Sequence, residues 1–198
     1  MKIGDCYIRP AMGGRSRSIW RITDIEGTSC RADLYDFGDQ GIYRYKGEPF
    51  SVKRFSMFIP VDETRFELVG RLFDNAVRNV EDIIEKSSKW KSGDLEFGTC
   101  LYSEEDDYKG VMKLIEQSGE NSLHGEYLHV SARQFSRETI RPGIVSLSQY
   151  EEDESKMCID SDVFDKILKV FSMTYATIQA TVDRAVQEYR KETAGKGV

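Results

Sequence analysis

The residues most suited to acid–base or metal-ligand work are His124 and His129, the two histidines of the chain, with Glu126 between them. Imidazole is the side chain that titrates near neutrality. Their spacing of five places them on opposite faces of a strand and on different sides of a helix, so they do not converge on one atom. A turn histidine and a strand histidine account for both. The four cysteines, Cys6, Cys30, Cys100 and Cys158, lie far apart with no CxxC pair. They read as reduced, half-buried small hydrophobes rather than zinc ligands or disulfide partners. Asp160/Asp162 and the run Glu151–Glu154 have the oxygen chemistry for a divalent cation. A helix N-terminus and a solvated loop explain both better, because carboxylates are favoured at a helix start for dipole reasons alone. No GxSxG, P-loop, GxGxxG before a helix, or HExxH occurs. The expectation is a chain that is not an enzyme, with no cofactor and no metal.

Charge carries more information. Residues 1–60 hold ten Lys/Arg against seven Asp/Glu, whereas residues 61–198 hold 18 against 27. In the first region Arg9, Arg15, Arg17 and Arg21 lie beside Trp20, and Tyr43, Arg44, Tyr45, Lys46, Lys53 and Arg54 follow, with Gly13-Gly14 in the basic loop. Cations interleaved with aromatics neutralise phosphates and stack bases. Against a nucleic-acid surface stands the acidic whole, with a pI of about 5.1. The second region presents the acidic counterpart, Glu104-Glu105-Asp106-Asp107. Loops of opposite sign suit a partner with its own charge dipole, or head-to-tail docking of two copies.

The elements that must position these loops follow from periodicity. Cys6–Ile8, Ser18–Ile25, Ser29–Tyr35 and Ile42–Tyr45 read as short strands punctuated by glycine turns at Gly27 and Gly38/Gly41, with Ser51–Val61 adding one more. From Asp62 to about Lys89 the apolar residues recur at three and four, which is an amphipathic helix capped by Asp62. A second set of strands is expected at Thr99–Tyr102, Gly110–Gln117, Glu126–Ser131, Ile144–Leu147 and Met157–Ile159. A second helix then runs from Asp160.

The two sets echo each other. Val61-Asp62…Phe66…Phe73 matches Ile159-Asp160…Phe164…Phe171 at a shift of 98, and Gly4-Asp5-Cys6 matches Gly98-Thr99-Cys100 at a shift of 94. The fold expected is α+β: a tandem pseudo-symmetric repeat of a small curled antiparallel sheet, of the size of an SH3-like partly open barrel, each followed by an amphipathic helix. The division expected is 1–92 and 93–198, with a disordered tail from about 191. The two helices are expected to pack together, with Phe66, Phe73, Phe164 and Phe171 between them.

Composition bounds the setting. Hydrophobic residues make up 39% and charged residues 31%, which fits a globular chain able to fill a core. No apolar run approaches the roughly 20 residues that span a bilayer, and the first residues carry no apolar signal core, so a cytoplasmic location and no membrane partner are expected. The function expected is a non-catalytic macromolecule-binding protein of the adaptor, inhibitor or immunity type. Its contact residues would be Arg9, Arg15, Arg17, Trp20, Arg21, Arg44, Glu104, Glu105, Asp106 and Asp107, and its partner most readily another protein. The alternative is a nucleic-acid-binding accessory protein using the basic and aromatic surface of residues 9–54.

Overall fold

The computed structural model describes residues 1–9, 17–91, 98–105, 107–117, 123–140 and 156–195. They form an α+β structure with eleven strands and two long helices, α1 (Glu63–Glu85) and α2 (Val163–Ala194). Two compact units contain them: residues 1–75 with 173–198, and residues 76–172. The two units interleave along the chain. The boundaries fall inside the helices, so α1 ends in the second unit and α2 ends in the first.

The first unit holds β1 (Cys6–Arg9), β2 (Arg17–Glu26), β3 (Ser29–Gly38), β4 (Gly41–Ser51), a 3₁₀ turn (Val52–Met57) and β5 (Ile59–Val61). Its strand order is β5-β1-β2-β3-β4, antiparallel throughout and not closed. Gly27 turns β2 into β3 at φ +60, a backbone conformation that costs glycine little. Ser51–Val61, expected as one strand, divides into the 3₁₀ turn and β5. Alternation along the strands supplies two apolar faces. One carries Trp20, Ile22, Ala32 and Leu34, closed over by Phe55 of the 3₁₀ turn with Tyr7, Phe50 and Phe58 around it. The rings lock edge to face, with Trp20 4.4 Å from Phe50 and 5.5 Å from Phe55. The other face carries Ile8, Ile19, Tyr35, Phe37 and Ile42, all buried. There Tyr35 meets Phe66 at 5.3 Å and Phe73 at 5.9 Å, both from α1.

The second unit holds β6 (Lys89–Trp90), β7 (Cys100–Glu105), β8 (Tyr108–Gln117), β9 (Leu123–Val130), β10 (Gln134–Ile140) and β11 (Lys156–Ile159). Its order is β10-β9-β8-β7-β11-β6, again antiparallel and not closed. Both faces again carry buried side chains: Leu101, Met112, Leu114 and Cys158 on one, Val111, Leu128 and Phe135 on the other. Phe135 meets Phe171 of α2 at 5.1 Å.

The buried positions of α1 are Phe66, Val69, Phe73, Ala76, Val80 and Ile84, a three-and-four spacing that lays one stripe on the body. The helix begins directly after Asp62, whose carboxylate accepts from the Thr64 hydroxyl and from Arg65 Nε at 3.3 Å. Phe66 and Phe73 meet Tyr35 of β3, and Phe171 meets Phe135 of β10, so the helices lay these aromatics on the pleated faces. In the first unit the described link between helices is polar: Arg65 donates to the Thr181 carbonyl at 3.5 Å and to Glu188 at 2.5 Å. Helix α2 continues through Lys191 to Ala194, residues expected to lie in a disordered tail. No helix among the described residues is long and apolar enough to cross a membrane. The strand expected at Ile144–Leu147 lies outside the described residues.

Candidate functional site

The arginines chosen as contact residues are engaged within the first unit. Arg9 pairs with Asp36 at 3.2 Å across β1, β2 and β3. Arg17 pairs with Asp183 of α2. Arg21 lies between Asp33 at 3.2 Å and Glu63 at 3.6 Å, its guanidinium 4.8 Å above the Phe66 ring. Arg44 donates to Asp74 at 2.5 Å and to the Tyr35 hydroxyl at 3.0 Å while lying 4.9 Å over Phe73. Trp20 is 2% exposed, and its indole N–H donates to the buried Ser18 hydroxyl at 2.6 Å. It belongs to the buried core of the first unit. Arg15 lies outside the described residues.

The acidic residues behave differently. β7 and β8 are joined by a tight turn in which Glu105 and Tyr108 are register partners. Glu104, Glu105 and Asp107 are exposed there, and Asp106 lies outside the described residues. With Glu81 of α1, Tyr108 and Lys109 they line a cleft of about 260 Å³ floored by Val130 and Ser131. Glu104 accepts from the Tyr102 hydroxyl at 2.6 Å and pairs with Lys109 at 3.8 Å, leaving the cleft with an excess of carboxylate.

Behind this turn lies a polar row that the sequence reading did not assign. Ser103, Gly110, His129 and Ser136 are successive register partners on β7, β8, β9 and β10, so they share one face. Tyr108 and Tyr127 lie two residues from Gly110 and His129 on the same face. The His129 ring stacks on Tyr108 at 4.3 Å and meets Tyr127 edge-on at 6.2 Å. Glu105 is the register partner of Tyr108, and the Tyr127 hydroxyl lies against Ser103 over Gly110. The Glu105 carboxylate beside it and burial hold the Tyr108 hydroxyl well above the ordinary phenol range. Burial pushes Tyr127 up as well. His129 is pushed below the ordinary histidine value by burial, against the opposing pull of Glu138 and Glu105. Gly110, a glycine inside a strand, was the available signal, since such glycines mark close approach of another group. Here the Tyr127 hydroxyl occupies the space a side chain would need.

The remaining candidates are dispersed. Asp160 accepts from the Ser88 N–H at 2.9 Å, and Asp162 pairs with Lys166 at 2.7 Å. Lys113 spans both oxygens of Asp165 at 3.0 and 2.9 Å. No group of three or more His, Cys, Asp or Glu among the described residues is placed to hold a metal ion, and residues 151–154 lie outside them. All four cysteines are free and buried. Burial, with Glu63 adding to it, pushes the Cys6 thiol up to about 12.

No family model, curated protein or solved structure matches this chain.

Proposed function

We propose that this chain is a non-catalytic protein-binding protein of the adaptor, inhibitor or immunity type, docking a basic segment of its partner on the acidic β7–β8 turn. The observation that carries this reading is the convergence of Glu81, Glu104, Glu105 and Asp107 on one cleft, beside a tyrosine able to lie against a cationic side chain. Arg9, Arg17, Arg21 and Arg44 are held by carboxylates and Trp20 is enclosed, which favours a protein partner over nucleic acid. The four free, buried cysteines suit a cytoplasmic setting.

The reading includes a duplicated module as scaffold. Supporting it, β5-β1-β2-β3-β4 and β11-β7-β8-β9-β10 have the same order. Gly4 and Gly98 have φ of 90 and 82, and donate to Ile22 and Leu114 carbonyls at 2.9 and 3.0 Å beside matching bulges. Arg21 over Phe66 has its counterpart in Lys113 over Phe164. Buried residues on both faces fit sheets that curl toward an SH3-like, partly open barrel.

The test is fluorescence anisotropy with a Lys/Arg-rich peptide, an acidic peptide of equal length and a single-stranded oligonucleotide. The basic peptide should bind in a salt-sensitive way, and combining Glu104→Lys, Glu105→Lys and Asp107→Lys should weaken it roughly tenfold or more. Absence of binding at low ionic strength, or equal binding by the charge-reversed protein, refutes the reading. Light scattering reports whether a second copy is the partner.

A further inference from the structure

We propose that His129 is a proton-driven switch for the acidic turn: its protonation draws Glu105 away from Tyr108 and loosens the hold of the turn on a basic segment. This rests on the docking reading above. The geometry carries it. Tyr108 is the physical link, because its ring packs against the imidazole at 4.3 Å while Glu105 of the turn is its register partner across the hairpin.

The groups facing His129 come from four strands. From β7 they are Ser103 and Glu105, from β8 Tyr108, from its own strand Tyr127, and from β10 Ser136 and Glu138. Ser103, Ser136 and the two tyrosines are neutral at physiological pH, so Glu105 and Glu138 are the charges that respond to an imidazolium. Glu138 sits opposite Tyr127 within β10, whereas Glu105 belongs to the turn. Neutral His129 leaves Glu105 beside Tyr108 and its charge available to the cleft. Protonated His129 competes for the same carboxylate and neutralises part of the field that a basic partner meets.

The low position of the His129 titration, caused by burial, puts the switch on the acid side of neutrality. One charge gained beside the turn should weaken a basic peptide about threefold to tenfold as pH falls from about 7.5 through the His129 midpoint.

The experiment follows the two histidine ring resonances and the backbone amides by NMR across this range. His124→Gln and His129→Gln assign the rings, and His129→Phe keeps a ring on Tyr108 without a titrating proton. The expected result is that the amides of Glu105, Asp107 and Tyr108 move with the His129 midpoint, and that the shifts and the affinity change vanish in His129→Gln and His129→Phe. Amides that hold still while His129 titrates, or that still move in both variants, overturn the proposal. If the basic peptide does not bind even near pH 7.5, the docking reading falls; the amides then decide the switch alone, moving with His129 in support or holding still against it.

Discussion

Replacing Gly110 by alanine tests the polar row directly. A Cβ on Gly110 would lie 2.5 Å from Tyr127 Cζ and 2.8 Å from Ser103 Oγ, with the Tyr127 hydroxyl oxygen closer still. The phenol must swing out of the row, giving up its bond to Ser103. Overpacking of this kind costs about 1–3 kcal/mol, and the buried hydrogen bond lost adds about 1 kcal/mol. Removing glycine from a strand returns roughly 0.5–1 kcal/mol. The net expectation is about 1–3.5 kcal/mol, or roughly 2–14 °C in melting temperature for a chain of this size. Tyr127→Leu shortens the opposing side chain, so the Gly110→Ala/Tyr127→Leu double variant should be more stable than the sum of the single losses by about 1 kcal/mol or more. Thermal and urea unfolding of the four proteins read this out. A Gly110→Ala protein melting with the wild type, or strict additivity, would show that Tyr127 is not seated over Gly110.

Phe73→Ala and Phe135→Ala, both at side chains with 0% exposure, should each cost about 3–5 kcal/mol in urea unfolding. The free thiols should resist a thiol-specific reagent near neutral pH in the native protein and react together on unfolding, since all four are buried and Cys6 is pushed up to about 12. Because His129 titrates lower in the folded protein than in the unfolded chain, its contribution is complete above the ordinary histidine value of about 6.5 and is lost as pH falls below it. His129→Gln should flatten that part of the stability profile. Asp62 is also held below its ordinary value, chiefly by the Thr64 hydroxyl, so its contribution is present above about pH 4 and lost on further acidification; Asp62→Asn should move the acid midpoint.

Periodicity was the reliable signal. The three-and-four spacing of Phe66, Val69 and Phe73 announces a helix from Asp62, and alternation around Trp20 announces a strand, because both depend on which side chains leave water. β10 was missed: Gln134, Ser136 and Glu138 alternate with Phe135 and Arg137, so one face is polar and the apolar signal thin. Composition likewise announced the acidic turn, since neighbouring carboxylates on a hairpin stay with each other however the chain folds.

Tertiary structure decided the rest, and the reason is distance along the chain. Whether an arginine is available depends on the carboxylate that comes to meet it, and Arg17 finds its partner in Asp183. Trp20 looks like a stacking residue beside Arg21, yet Phe50 and Phe55 close over it. The row of Ser103, Gly110, His129 and Ser136 exists because four strands share a register. Residue types and local spacing set which elements form and where charge accumulates; pairing across strands and helices decides which of those charges remain open to a partner.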